Sequence, residues 1–261
     1  MNELDLTQLP WAASLAVLAR VGAAIAIAPP FAHAAMPRRV RAVIAIALTV
    51  GLLPAVKAPS FNSNGALIGA IASEVLIGLA LGLAISLVFS AASWAGDLIS
   101  HQLGLNVAES YDPGRSSEGS GLAQACWMLA VVVFLAANGH HALLRGLRTS
   151  FDTLPIGRAL QGSAVVTMLS GLMGSALALA VQIAAPVFVA TLIADVAMGL
   201  AGKTMAQLGV MSAALTVRSA VGLVAMIAGI AVTVGLLQSA TVNWMQIVQG
   251  AIGNLGGNLG K

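Results

Sequence analysis

The sequence has very few charged residues. They make up 8% of the 261 positions, whereas hydrophobic residues make up 59%. A soluble globular chain is about 25% charged, and so few charges cannot cover a surface that faces water. Lipid or partner subunits must therefore cover much of this chain. The composition excludes an ordinary soluble domain and predicts a single integral membrane unit built from helices.

Cysteine, basic runs and aromatic residues are scarce as well. The single cysteine, Cys126, cannot form an internal disulfide, and its apolar surroundings favour a small buried side chain. The 12 basic residues outnumber the 9 acidic ones, but they are scattered, so we expect no nucleic-acid partner. The opening MNELDLTQLPW has no basic residue, unlike a cleaved signal peptide. We expect the first apolar run to stay in the protein.

Apolar runs recur along the chain, and a helix of about 20 apolar residues can cross a bilayer. The candidate segments are 11–31, 40–56, 66–95, 122–144, 163–202 and 213–248. The second is shorter than a full span. Pro186 interrupts the fifth, which predicts two helices or a kinked pair, and the sixth predicts one long helix or a hairpin. Gly78 and Gly82 form a GxxxG pair, which predicts close helix packing.

Basic residues do not orient these segments. If the first four all cross, the loops on one side hold Arg38, Arg39, Arg41 and Arg115, and those on the other hold Lys57, Arg145, Arg148 and Arg158. With four basic residues on each side, the positive-inside rule favours neither orientation. Either some segments do not cross, or partner subunits rather than lipid hold the chain.

Five charged residues lie within or beside the apolar runs: Arg20, Glu74, Asp195, Lys203 and Arg218. A charge at the bilayer centre costs about 2.5–3.5 kcal/mol on insertion scales, so it normally faces protein or water. Asp195 and Lys203 are about 12 Å apart along a straight helix, which is too far for direct pairing. An ion or proton pathway is one interpretation. Pairing between helices or between subunits is the interpretation we favour, because such residues commonly pair.

Two short motifs resemble chemical sites. His140 and His141 are adjacent, so on a helix they point about 100° apart and do not form the i, i+4 pair that binds one metal; we favour a turn at NGHH. GRSS at 114–117 matches the GxSx of intramembrane serine proteases, but it lies in a loop and not at the buried start of a helix. No phosphate-binding GxxxxGK[ST] occurs. We therefore expect no catalytic, cofactor or metal site.

The most polar stretch, NVAESYDPGRSSEGSG (106–121), lies near the middle of the chain between apolar runs. Its Asp112–Pro113–Gly114 sequence favours a turn, and the serine and glycine residues that follow have little to bury. Composition is compatible with an ordinary extramembrane loop. It is equally compatible with a mobile segment that occupies a pore and is displaced during transport.

Four blocks, in order and spread over nearly the whole chain, resemble one known family. They are MPRRVRAVIAIALTVGLLP (36–54), EVLIGLALGLAISLVFSAASWAGDLISHQLGLNVAESYDP (74–113), FLAANGHHALLRGLRTSFDTLPIG (134–157) and ADVAMGLAGKTMAQLGVMSAALTVRSAVGL (194–223). They are similar to the FliR/SctT export-gate subunits of bacterial flagella and type III secretion systems. The chain departs from that family at Ala206 and Thr216, where the family commonly has prolines, and at Arg218, where it has lysine.

The resemblance implies a fold and a set of partners. Residues 1–175 would resemble a FliP-type subunit, and residues 176–261 would form a FliQ-like helical hairpin. The chain would be a non-enzymatic subunit, without a cofactor, of the flagellar type III export gate in the bacterial inner membrane at the basal body. With FliP-type and FliQ-type subunits it would form the pore for unfolded flagellar proteins, joined by an FlhB-type switch protein and an FlhA-type export protein. A virulence-type export subunit and a stand-alone secondary transporter remain alternatives.

The resemblance also implies a role for the central loop, because the family has a pore plug after its Asp-Pro turn. Carried over residue by residue, the plug would consist of Tyr111, Asp112, Pro113, Gly114, Arg115, Ser116, Ser117, Glu118, Gly119, Ser120 and Gly121. A polar, glycine-rich loop could block a water-filled pore and still yield to a substrate.

Overall fold

The computed structural model describes residues 10–29, 31–32, 36–56, 63–105, 120–157, 162–204 and 210–257. Over these ranges the chain is built from helices and has no strand. The helices are α1 (Pro10–Ile27), α2 (Arg38–Leu52), α3 (Asn64–Leu103), α4 (Gly121–Ala136), α5 (Gly139–Thr153), α6 (Gly162–Thr204), α7 (Val210–Ala228) and α8 (Ile230–Gly257), and the short 3-10 helix Leu53–Ala55 follows α2. The prediction of an all-α chain is confirmed.

Two of the described helices are long and apolar enough to cross a membrane by themselves. They are Asn64–Leu103 and the part of α6 from Val165 to Gly202. The α4–α5 and α7–α8 pairs qualify only if each bent pair counts as one span, and the apolar part of α1, Trp11–Ile27, is shorter. By length and composition the described residues therefore provide two to four crossings, which is the pattern expected of an integral membrane protein.

A break at Asn138 divides the predicted fourth segment into α4 and α5. Asn138 has a φ of 56°, and the amide N–H of His141 donates to its carbonyl oxygen at 3.0 Å. Asparagine adopts this left-handed conformation more readily than most residues, and glycine follows it. The predicted turn at NGHH is confirmed, and it divides the candidate segment 122–144 between two helices. The apolar pattern of the sequence continues across this break, because only Ala137 and Asn138 leave the helical conformation.

Pro186 and Gly229 mark the places in the second half of the chain where a helix was expected to break and where one does break. The long helix α6 continues through Pro186, so the first of the two predicted alternatives, two separate helices, is wrong. The last predicted segment is instead broken at Gly229, where α7 and α8 meet at a bend of 53°. Gly229 packs against the proline, because a Cβ built on it would lie 3.5 Å from Pro186 Cβ. Close neighbours of this kind help membrane helices to tolerate proline.

The chain divides into two compact units that interleave along the sequence. The first contains residues 1–87, 138–173 and 241–261, and the second contains residues 88–137 and 174–240. The helices α3, α6 and α8 each contribute to both units. The likeness of 1–175 and 176–261 to two partner folds stays a prediction.

Close contact between α1 and α3 organises the first unit. One face of α1 is fully buried and carries small or branched side chains such as Ala16, Val17 and Val21. Gly78 lies against the carbonyl group of Arg20, and a Cβ on Gly82 would lie 2.7 Å from the carbonyl oxygen of Ala24. The close packing predicted from the GxxxG pair is confirmed.

Large apolar side chains and a second glycine contact organise the second unit. The buried ring of Phe89 packs against Trp127 and Phe134, with ring centroids 6.3 and 5.3 Å away. Gly96 brings α3 directly against the first turn of α4. Cys126 lines an apolar cavity of about 200 Å³ in this unit. The cysteine is half-buried, so it lies in apolar surroundings as predicted but is less buried than predicted.

Candidate functional site

Arg20 and Glu74 form an ion pair inside the first unit. The helix α1 positions Arg20 and α3 positions Glu74, and neither side chain is exposed. Arg20 Nε donates to Glu74 Oε2 at 2.5 Å. The contact of Gly78 with α1, one helical turn along from Glu74, brings the two helices close enough for this short bond.

The remaining donors of Arg20 bind the end of α5. Nη1 donates to the Ser150 carbonyl oxygen at 2.8 Å and to the Ser150 hydroxyl at 3.1 Å, and Nη2 donates to the Leu154 carbonyl oxygen at 2.9 Å. The Phe151 ring lies 4.1 Å from the guanidinium carbon. The Ser150 carbonyl also accepts the Leu154 amide N–H at 2.9 Å, but carbonyl groups at the very end of a helix lack partners within it. Arg20 therefore caps α5 while it pairs with Glu74.

Glu74 extends the same network to the chain after α5. Its second oxygen, Oε1, accepts a hydrogen bond from the Gly157 amide at 3.2 Å. Burying a charge is costly unless it is paired and hydrogen-bonded, and here both partners have additional hydrogen bonds. The network thus joins α1, α3, α5 and the chain that leads to α6. It can fix these parts of the first unit to one another.

Asp195 and Arg218 form a looser pair in the second unit. The carboxylate oxygen Oδ2 of Asp195 lies 3.8 Å from Arg218 Nη1, and the side chains are 43% and 31% exposed. Arg218 Nε is buried, and within the described part of the chain it has no hydrogen-bond partner. Lys203 belongs to α6, but its side chain lies outside the described residues. The structure brings Asp195 to Arg218, and it leaves both side chains accessible from outside the chain.

Replacing Asp195 with asparagine should have little effect on the stability of the isolated chain. Exposed ion pairs contribute about 0.2–1 kcal/mol. In this pair the nitrogen and the oxygen are 3.8 Å apart, and both side chains are partly exposed. We expect the free energy of unfolding in detergent to fall by less than about 1 kcal/mol. Thermal unfolding of the purified chain measures this. A loss as large as that of a buried-pair variant would contradict the prediction.

Most of the predicted plug lies outside the described residues, including everything from Tyr111 to Gly119. The structure describes only its last two positions. Ser120 is the N-cap of α4, and Gly121 is the first residue of that helix. These two residues therefore form the start of α4.

The contacts of Ser120 identify a residue that the sequence prediction missed. Asp97 Oδ1, on α3, accepts hydrogen bonds from the Ser120 hydroxyl at 2.8 Å and from the Ser120 amide at 3.2 Å. The Ser120 hydroxyl in turn accepts a bond from the Ala123 amide at 3.1 Å. The available signals were a carboxylate late in a largely apolar helix and a serine just before an apolar run, which is a common N-cap position.

The end of α3 before the central loop is also held in place. Gln102 donates to the Thr191 hydroxyl at 2.9 Å, and the Ser219 hydroxyl donates to the Leu103 carbonyl oxygen at 2.9 Å. Gly104 then takes a φ of 72°, the left-handed conformation that often ends a helix. The described residues on both sides of the loop are therefore anchored within the second unit.

The two adjacent histidines do not form part of a larger cluster of ligands. The His140 and His141 rings are 4.2 Å apart, and the described residues contain no group of three or more histidine, cysteine or acidic side chains that could hold a metal. The GRSS motif at 114–117 lies outside the described residues. Neither motif supplies a catalytic arrangement in the described structure.

These features define an all-α membrane protein whose buried polar contacts join its helices. Residues 11–243 match the family described as bacterial export proteins, family 1, and the chain belongs to that family. It is 32% identical over 192 residues to flagellar biosynthetic protein FliR of Caulobacter vibrioides, covering 72% of this chain and 76% of that protein. It is 32% identical over 198 residues to the Escherichia coli protein of the same name, covering 74% of each.

A relative with a different name also matches. The chain is 28% identical over 148 residues to the surface presentation of antigens protein SpaR of Shigella sonnei, and the match covers 56% of each chain. The family resemblance seen in the sequence is thereby confirmed.

Proposed function

We propose that this chain is a subunit of a flagellar type III export gate in the bacterial inner membrane, where it acts in protein export and not as an enzyme. The observation that carries the proposal is the family match over residues 11–243. Flagellar membership is supported by the higher coverage of the flagellar relatives, 72–74% of this chain against 56% for SpaR. A virulence-type subunit remains the alternative.

The exposed apolar surface of the chain needs lipid or partner subunits to cover it. In the described part of α6 that could span a membrane, only 39% of the most apolar stretch is buried. In α3 the corresponding share is 61%. Large apolar side chains are more than half exposed along α6, α7 and α8, including Val189, Leu192, Ile193, Val224 and Ile227. Contiguous apolar surface of this kind marks lipid or subunit contact. We propose that FliP-type and FliQ-type subunits cover part of it, with FlhB-type and FlhA-type proteins as further partners.

The charged residues divide into two roles under this proposal. Arg20 and Glu74 fix helices within the chain, because both are fully buried and hydrogen-bonded. Asp195, Arg218 and Lys203 lie on α6 and α7, and the first two remain accessible. We propose that these three residues meet charges on neighbouring subunits. The partial exposure of the Asp195 and Arg218 side chains, 43% and 31%, supports this, because it leaves room for a further charged partner.

The central loop is proposed as the plug of the closed pore. It is the most polar part of the chain, and described contacts hold both of its ends: Gln102 with Thr191 before it, and Asp97 with Ser120 after it. A segment tied at both ends can close a pore between subunits and can be displaced without leaving the assembly. Unfolded flagellar proteins are the proposed substrates.

Deleting Asp112–Gly119 should leave assembly intact and make the membrane leaky. The deletion ends before Ser120, so it spares the cap of α4. Ion flux through the assembled complex in liposomes should rise by about tenfold or more, since removing 1.36 kcal/mol from a barrier already gives that factor. The matched control has residues 112–119 in scrambled order, which keeps length and composition. An assembled deletion variant as tight as wild type would refute the plug role.

The flagellar assignment has a separate test. The gene for this chain should restore motility to cells that lack their own flagellar relative, provided its partner subunits are supplied. Restoration of virulence-type secretion without motility would favour the alternative.

A further inference from the structure

We infer that the exposed face of α2 binds an anionic phospholipid of the membrane. The binding surface, called here the α2 lipid face, consists of Arg38 and Arg39 at the start of the helix and of Val43, Ile46 and Val50 along it. The inference does not depend on the export function proposed above. It requires only a membrane protein, which the composition and the long apolar helices indicate.

The α2 helix is buried on one side only. On that side Ala45 and Thr49 pack inside the chain. On the other side Val43, Ile46 and Val50 are 64%, 53% and 62% exposed. These three positions are three and four residues apart, the spacing that places side chains on one face of a helix. Within the described part of the chain this apolar row is uncovered, so another molecule must shield it from water.

Charge complementarity identifies the covering molecule. Arg38 and Arg39 are exposed in the first turn of α2, and no acidic side chain among the described residues forms an ion pair with either. Arg39 precedes Val43 by four residues, so its charge lies at one end of the apolar row. A guanidinium group can bind phosphate oxygens through two parallel hydrogen bonds. The surface therefore suits a molecule with a phosphate beside an apolar chain, which describes a phospholipid.

The position of the two arginines is unfavourable without an anion. The first turn of α2 has no acidic residue, and the N-terminal end of the helix dipole is itself positive. A bound phosphate would be attracted both by the guanidinium groups and by the dipole. The start of α2 thus favours an anionic headgroup over a neutral one.

The length of the α2 lipid face matches one leaflet of a bilayer. Val50 lies eleven positions after Arg39, which is about 16 Å along a helix. The hydrocarbon core is about 30 Å thick, so one leaflet is about 15 Å deep. An acyl chain can therefore follow the whole apolar row while its headgroup stays beside the arginines. The 15 residues of α2 extend about 22 Å, which is too short to cross the core.

The α5 helix provides an internal comparison. It also has 15 residues and also carries exposed arginines, Arg145 and Arg148, but its exposed face continues with the polar residues His141 and Asp152. Water can solvate such a face. The apolar row beside the arginines therefore distinguishes α2 from α5, and the α5 arginines are a control for charge alone.

The test measures lipid binding by native mass spectrometry, with the purified chain alone and with its assembled complex. The probes are dioleoyl phosphatidylglycerol, which is anionic, and dioleoyl phosphatidylcholine, which has the same acyl chains and no net charge. Arg38→Gln/Arg39→Gln removes the charges of the α2 lipid face. Arg145→Gln/Arg148→Gln is the matched control. All four arginines are exposed, so both variants should fold.

We expect wild type to bind phosphatidylglycerol in preference to phosphatidylcholine. Arg38→Gln/Arg39→Gln should weaken phosphatidylglycerol binding by about 25-fold, about fivefold for each basic residue near an anionic surface. It should leave phosphatidylcholine binding unchanged, and the α5 variant should change neither. Unchanged phosphatidylglycerol binding in the α2 variant, or an equal loss in the α5 variant, would overturn the inference.

A second variant and a cross-linking measurement locate the acyl chain. Val43→Ser/Ile46→Ser should weaken the binding of both lipids, because the chains lose apolar surface. Phosphatidylglycerol with a photoreactive group in its acyl chain should label α2, and labelling confined to other helices would contradict the proposed site. Loss of a partner subunit from the Arg38→Gln/Arg39→Gln complex, with lipid binding retained, would show that a protein covers this face instead.

Discussion

Replacing Glu74 with leucine should strongly destabilise the first unit. The substitution leaves Arg20 charged, fully buried and without its carboxylate. Breaking a buried pair by removing one partner costs about 3–5 kcal/mol, which is a large part of the roughly 5–15 kcal/mol that typically stabilises a protein. The Gly157 amide would also lose its acceptor. We expect a strong fall in the thermal unfolding midpoint and in the amount of assembled complex recovered from membranes.

Two control variants distinguish an uncompensated charge from a loss of packing. Glu74→Gln keeps an acceptor near Arg20 and should fall between wild type and Glu74→Leu. The double variant Arg20→Met/Glu74→Leu should recover much of the loss, because apolar replacement of a whole buried pair is often neutral. Recovery should be incomplete, since Ser150 and Leu154 lose the donors that cap α5. A Glu74→Leu variant with the same thermal unfolding midpoint as wild type would show that the pair is not needed for stability.

The sequence predicted the features that depend on local pattern. The long apolar run at 66–95 predicted α3, because only a helix satisfies backbone groups along such a stretch in lipid. The spacing of Gly78 and Gly82 predicted a close helix contact, and the structure has that contact with α1. These predictions succeed because the controlling residues are neighbours on one helix face.

Features that depend on distant partners could not be predicted in the same way. Arg20 contacts residues 54 and 134 positions away in sequence, and hydropathy does not indicate which charges meet. Asp97 was missed because its partner, Ser120, looked like part of the loop. The plug itself stays a prediction from family resemblance, since Tyr111–Gly119 lies outside the described residues.

Replacing Gly78 with alanine should be nearly as damaging as removing Glu74. The added Cβ would collide with the carbonyl group of Arg20 and lie 2.8 Å from Ala23 Cβ. These atoms belong to the backbone of α1 or lie next to it, so a side-chain rotation cannot relieve the collision and the helices must separate. Overpacking typically costs about 1–3 kcal/mol, and we expect the upper end of that range. Thermal unfolding in detergent measures it.

Gly69 supplies a matched control on the same helix. A Cβ added to Gly69 would meet no atom within 4 Å, so Gly69→Ala should be neutral or should stabilise α3 by up to about 1 kcal/mol, the helix preference of alanine over glycine. Equal effects of the two glycine substitutions would show that the α1–α3 contact is not tight.

The double variant Gly78→Ala/Glu74→Leu tests whether helix spacing and ion pairing are coupled. Separation of α1 from α3 moves Arg20 away from Glu74, so part of the cost of Gly78→Ala is loss of that pair. In a background that already lacks Glu74, the glycine substitution should therefore cost less than it does in wild type. Groups in direct contact commonly show interaction energies of about 0.5–3 kcal/mol in such cycles. Strict additivity would mean that the glycine and the ion pair stabilise the first unit independently.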